Sequence, residues 1–74
     1  MSNNDMDLIE QEEIILNLLS YQSLKPSELS ALTKLSAFVI RRILRDLTQR
    51  GIIDFKADLN DLRSKIYFIV GDSL

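Results

Sequence analysis

A chain of 74 residues has room for one hydrophobic core and therefore for one domain. Its 46% hydrophobic content suits a compact globule, and the lack of cysteine and histidine excludes disulfides, thiolate or imidazole metal sites and histidine-based catalysis. The formal net charge of −2 argues against a nucleic-acid partner until its distribution is considered. Asp5, Asp7, Glu10, Glu12 and Glu13 place five negative charges in the first thirteen residues, whereas the remainder carries nine Lys/Arg against six Asp/Glu, a net of +3. No apolar run approaches the roughly 18 residues of a membrane span, and the N-terminus lacks a signal-peptide layout. A soluble, cytoplasmic protein with no membrane partner is expected.

Residues 1–7 are small and polar and are expected to form a flexible acidic N-terminus. A single domain is expected over residues 8–74. Leu8 to Tyr21 reads as a first helix, with Ile9, Ile15, Leu16, Leu18 and Leu19 on a broad apolar face. Its acidic residues fall in the first turns, where they favour the positive end of the helix dipole. The same charge run could alternatively serve as an acidic contact for a partner protein.

Pro26 suits the first position of a second helix, because no N–H is needed there. That helix spans Pro26 to Thr33, with Leu29 and Leu32 expected inward and Ala31 small enough for close helix contact. Lys34-Leu35 makes a short turn into a third helix. Ser36 can cap its start and Gly51 can end it in the left-handed conformation. Ile40, Ile43, Leu44 and Leu47 recur at i, i+3, i+4 and i+7, while Arg41, Arg42, Arg45 and Arg50 lie off that stripe. Arg41, Arg42 and Arg45 are expected to leave one side of the helix. Such a helix fits a DNA groove, and equally fits an ordinary amphipathic helix with a solvated basic side.

After Gly51 the period changes. Ile52 to Lys56 and Lys65 to Val70 read as strands, with a polar loop over Ala57 to Ser64 between them. A short third strand is expected near Leu24. The fold class is therefore α+β: a three-helix winged helix-turn-helix with a two- or three-stranded antiparallel wing. Phe55, Phe68 and Tyr21 are expected in the core, since so small a domain needs its large apolar groups. No catalytic constellation stands out, and the only glycines, Gly51 and Gly71, form no phosphate-binding loop. No enzyme, cofactor or metal is expected.

The segment from Leu29 to Val70 resembles the winged core of the MarR-type transcription regulators, including their small SarA-like relatives. The residues that carry the likeness are L-S-A-F-V-I-R-R-I-L-R-D-L-T-Q-R-G-I-I from Leu35 and D-L-N-D-L-R-S-K-I-Y-F-I-V from Asp58. The family pattern has a Leu-Ser entry, an amphipathic recognition helix, glycine plus two aliphatics, and D-x-R in the wing. Asp61-Leu62-Arg63 matches that D-x-R. The resemblance implies that Arg63 reaches the DNA minor groove with Asp61 as its orienting support. MarR-type proteins are longer and dimerise through helices outside this core, chiefly at both ends, whereas this sequence runs about four residues past the return strand and is expected to place one helix before the helix-turn-helix. In size and layout the chain is also similar to the short PapI/FaeA-like regulators of fimbrial operons, which act with a larger DNA-bending regulator.

The function expected from residues and resemblance together is sequence-specific binding of double-stranded DNA in transcription regulation. Arg41, Arg42 and Arg45 would meet major-groove edges and phosphates, with Ser36 and Phe38 at the entry turn. Lys34 would take a phosphate, and Arg63, with Lys65 behind it, would reach the minor groove. A homodimer partner or a larger DNA-binding regulator would complete the site. The competing expectation is a winged-helix protein-interaction module without direct DNA contact, suggested by the acidic N-terminus and the apolar Ala37-Phe38-Val39 turn.

Overall fold

The computed structural model describes residues 7–71. In chain order they form α1 (Leu8–Tyr21), α2 (Pro26–Thr33), α3 (Ala37–Gln49), β1 (Ile53–Asp58) and β2 (Asp61–Ile69). This is the expected α+β arrangement, three helices and an antiparallel hairpin. The expected flexible segment falls outside the described residues except for Asp7, which caps α1. Its carboxylate accepts from the Glu10 N–H at 2.9 Å, and the Glu10 carboxylate accepts from the Asp7 N–H at 3.3 Å.

The helix stops are local. Lys25 precedes Pro26, and its N–H donates to Glu28 at 2.8 Å. Lys34 ends α2 in the left-handed region, with φ at 67° and its N–H bound to the Ser30 carbonyl at 2.8 Å. Ser30 Oγ donates to the Leu35 carbonyl and the Leu35 N–H donates to Thr33 Oγ1, which fixes the turn into α3. Ser36 caps α3 by accepting from the Val39 N–H at 3.2 Å. Gly51, with φ at 77°, closes α3. Its N–H reaches the Thr48 carbonyl and the Ile52 N–H reaches the Leu47 carbonyl, both at 3.0 Å. That pair of bonds is a Schellman motif, and Ile52 packs on the core beside Leu47 as the motif favours.

Among the described residues the core consists of Ile15, Leu19, Leu24, Leu29, Ile40, Ile43, Leu44, Leu47 and Ile53. Four of these come from α3, more than from any other element; α2 and β1 pack on α3, and α1 packs mainly on β2 and α2. At about 1.5–3 kcal/mol for each buried aliphatic side chain, this stripe is the largest single contribution to the fold.

Several expectations about the core are corrected. Leu32, Ile9 and Tyr21 are exposed at 57%, 67% and 80%. Ala31 is exposed as well. The α2 helix has two turns and buries only Leu29 completely. Tyr21 lies two residues after buried Leu19, about 200° around the helix, and so faces away from the core. Phe55 is also exposed, and Phe68 is half-buried.

The wing is longer than expected. The strands pair from Ile53↔Ile69 to Ala57↔Lys65, then jump to Asp58↔Asp61. Ala57, Asp58 and Asp61 to Ser64 therefore belong to strands, and only Leu59 and Asn60 form the turn. The jump leaves residues 62–64 as an extra bulge on β2. The expected third strand near Leu24 is a single bridge, in which Leu24 and Tyr67 exchange hydrogen bonds of 3.1 and 2.8 Å. Both Tyr67 backbone groups are then committed to Leu24. The Phe55↔Tyr67 pair across the hairpin lacks mutual backbone bonds, which lets side chains approach closely. Their ring centroids are 5.5 Å apart.

Candidate nucleic-acid interface

The α3 stripe that fills the core determines what α3 shows to solvent. Phe38, Arg42, Arg45 and Gln49 recur at i, i+4, i+7 and i+11, directly opposite the Ile40, Ile43, Leu44 and Leu47 stripe. All four are exposed, and Phe38 is 71% exposed. The Arg42 guanidinium lies 5.9 Å from the centre of the Phe38 ring, one turn away. Arg41 sits to one side of this outer line, nearer the wing.

Two clefts run between α3 and the wing. The first, of about 400 Å³, is lined by Lys25, Pro26, Ser27, Arg41, Arg63, Ser64, Lys65 and Tyr67. The second, of about 340 Å³, is lined by Arg41, Arg45, Thr48, Gln49, Phe55, Lys65 and Tyr67. Arg41, Lys65 and Tyr67 belong to both, so the clefts are continuous, and neither is lined by a carboxylate. Lys65 Nζ rests 4.3 Å from the centre of the Phe55 ring, which holds its ammonium at the mouth. Partial burial pushes the Tyr67 hydroxyl up from its ordinary value, so it stays protonated and can donate a hydrogen bond.

Four of the acidic residues lie elsewhere, while Asp58 and Asp61 pair with Lys25 and Arg63 at the wing. Glu10 and Glu13 line a depression on α1, and Glu12 and Asp46 line another with Leu8, Arg42 and Ile43. Arg50 turns toward these acids. Its guanidinium lies 2.8 Å from Asp46 and 3.4 Å from both oxygens of Glu12. The Asp46 hydrogen bond leads the causes that raise its pKa. Arg50 therefore fastens α3 to α1 and does not join the basic face.

The expected site residues divide accordingly. Arg41, Arg63 and Lys65 meet in the first cleft, and Arg41, Arg45 and Lys65 in the second. Arg42 also lines the α1-side depression and Arg41 flanks the outer line on the wing side, so the three arginines spread over about 100° of the outer side of α3. Lys34 and Ser36 are exposed at the turn and line neither cleft. The Arg63 side chain is 94% exposed. Asp61 organises the bulge beneath it. Its carboxylate accepts from the Arg63 N–H and the Ser64 hydroxyl, each at 3.1 Å, and lies 3.5 Å from Arg63 Nε.

Two contributors escaped the sequence reading. Gln49 stands on the outer line, and its signal was available in the i, i+4, i+7, i+11 spacing from Phe38. The other is the contact between Lys25 and Asp58, 33 residues apart, with Nζ 3.3 Å from Oδ2. Asp58 is 6% exposed and is the one buried charged residue among those described. The Asn60 N–H at 2.9 Å, followed by Lys25, holds its pKa below the usual carboxylate value against the opposing effect of burial. This pair connects the start of α2 to the end of the wing.

Among the described residues, no helix is long and apolar enough to cross a membrane, and no cluster of acidic side chains could hold a metal ion. No family model and no curated protein matches the sequence. Solved structures do match. The adhesin competence repressor AdcR of Streptococcus pyogenes superposes with a TM-score of 0.81 at 23% identity, covering 93% of this chain and 50% of that one. A variant of ZitR from Lactococcus lactis gives 0.80 at 24% identity, covering 95% and 48%. A MarR family transcription regulator gives 0.76 at 24% identity, covering 81% and 40%. The chain spans about half the length of these proteins or less. At these identities the likeness is one of fold, and the chain has the winged helix-turn-helix fold that these regulators contain.

Proposed function

We propose that this chain binds double-stranded DNA sequence-specifically in transcription regulation, with α3 in the major groove and the wing at the minor groove. The observation that carries this reading is the segregation of charge. Arg41, Arg45, Arg63 and Lys65 converge on continuous clefts lined by no carboxylate, while Glu10, Glu12, Glu13 and Asp46 lie toward α1. A chain with a net charge of −2 thus offers a basic face to phosphates. Arg42 and Arg45 stand on the outer line, where guanidinium groups can bond guanine edges. Gln49 stands there too, and its amide can bond adenine. Phe38 offers an apolar contact for a thymine methyl. Lys34 and the Ser36 hydroxyl reach phosphates beside the entry turn, and Arg63, steadied by Asp61, enters the minor groove. The resemblance of the Leu35–Ile53 and Asp58–Val70 segments to MarR-type regulators supports the same assignment, as do the repressor and the transcription regulator among the structural neighbours.

A winged helix of this size covers one half-site, so a second copy or a larger DNA-bound regulator completes the complex. A cytoplasmic location accompanies this reading.

Titration against random and genomic duplex DNA at rising salt tests it. Affinity should fall steeply as salt increases. Arg42→Ala and Arg63→Ala should each weaken binding while the domain stays folded. No binding at about 50 mM salt, where phosphate contacts are strong, would contradict the proposal. The second reading, a protein-interaction module, draws on the 71% exposure of Phe38. It requires that Phe38→Ala abolish capture of a protein partner while DNA is not bound at all.

A further inference from the structure

We propose that the tip of the wing, from Leu59 to Arg63, is a preformed apolar wedge that opens a base step in the DNA minor groove and bends the duplex. This rests on the DNA-binding reading above.

The burial pattern at the tip is inverted. Asp58 is 6% exposed, whereas Leu59 is 87% and Leu62 73% exposed. A short hairpin left to the hydrophobic effect would turn its leucines inward and its carboxylate outward. Here the opposite arrangement is fastened in place. Asp58 accepts from Lys25 Nζ at 3.3 Å and from the Asn60 N–H at 2.9 Å. Asp61 accepts from the Arg63 N–H and the Ser64 hydroxyl. The two aspartates thus bond both sides of the turn, and Lys25 ties it to α2. Leu62 and Arg63 lie in the extra bulge that follows the Ala57↔Lys65 pair. The leucines are exposed on an anchored tip rather than on a loose loop.

The chemistry beside them identifies the occupant. Arg63, next to Leu62, has a 94% exposed side chain and belongs to the basic cleft it shares with Arg41 and Lys65. The apolar tip is therefore continuous with the face that meets phosphates. Minor-groove proteins combine these two features, a cation for the groove's negative potential and an apolar side chain inserted between base pairs. Unstacking a base step is costly, so a wedge must hold its shape under load, and the Lys25–Asp58 pair supplies that support from outside the hairpin. A leucine tip aimed at an apolar protein surface would not need a guanidinium beside it.

The test uses the full chain and duplexes of about 30 base pairs, selected by the chain from a random pool and labelled at both ends for energy transfer. Binding should bring the ends closer. A Leu59→Ala/Leu62→Ala variant should bind without bending, and Leu59→Met/Leu62→Met should still bend, because methionine can also serve as a wedge. On a duplex with a one-nucleotide gap at the wing-contacted step, the unstacking has already been done. The natural chain should then bind about ten-fold more tightly than to intact DNA, and the alanine variant should gain nothing. If the alanine variant binds neither duplex, the methionine variant decides: bending by it supports the wedge, and a straight bound duplex overturns it. A bound duplex that stays straight, or an alanine variant that bends DNA normally, overturns the wedge and leaves DNA binding standing. If the pool yields no bound duplex, the wedge and the DNA reading fall together.

Discussion

Replacing Gly51 by alanine isolates the joint between α3 and the wing. Gly51 holds φ at 77°, and a Cβ added there meets nothing within 4 Å. The substitution therefore adds backbone strain without a clash. A side chain in the left-handed region costs about 1–2 kcal/mol. Alanine also stiffens the unfolded chain, which returns about 0.4–1 kcal/mol. The net expectation is a loss of about 1 kcal/mol, or about 4–8 °C in Tm for a domain of this size. Gly51→Asn should cost less than Gly51→Ala although asparagine is larger, because asparagine tolerates this conformation. Urea denaturation monitored by circular dichroism gives the comparison. A neutral or stabilising Gly51→Ala would mean that α3 runs through residue 51. The Schellman bonds from Gly51 and Ile52 would then be wrong, and with them the placement of the wing.

Lys34 has the same backbone strain without glycine's freedom, at φ 67°. Lys34→Gly should stabilise the domain by about 1 kcal/mol in the same assay while weakening DNA binding. The Asn60 N–H, with Lys25, holds the Asp58 carboxyl below its ordinary value, so its contribution to stability is complete above that ordinary value. It is lost as pH falls through the lower folded value, and an acid titration of Asp58→Asn should lack that part of the transition. Arg45→Ala should reduce the slope of log affinity against log salt by about 0.9 per lost phosphate contact. Arg50→Ala should leave that slope unchanged, since Arg50 is already paired with Asp46 and Glu12.

The helices were legible because their signals are local. Pro26, Ser36 and Gly51 each act within one turn, and the bounds of α1 and α2 follow the apolar periodicity. The Ile40-Ile43-Leu44-Leu47 stripe identified the central helix, since a four-residue stripe at this spacing has one way to be buried. Leu32 and Tyr21 misled because hydrophobicity alone does not say which face finds a partner. The phase of each helix relative to Leu29 or Leu19 carries that information. The wing misled for a different reason. Residues 57–64 are mostly polar and show no alternation, yet a hairpin exposed on both faces needs none. The Lys25–Asp58 contact was not legible at all, because 33 residues separate its members and they meet only through the packing of the hairpin on the helices, the Leu24–Tyr67 bridge included. The candidate site was legible as a list of cations. Which of them face the wing, and which, like Arg50, are spent on holding α1, required the packing.

In the proposed complex DNA meets the outer face of α3 and the wing. Adding a selected duplex to the isotope-labelled chain and following every backbone amide by NMR tests this most directly. Shifts should concentrate at residues 34–49 and 58–65, with Glu10, Glu13 and Asn17 on the outer side of α1 unaffected. Shifts centred on α1, with α3 and the wing unmoved, would contradict it.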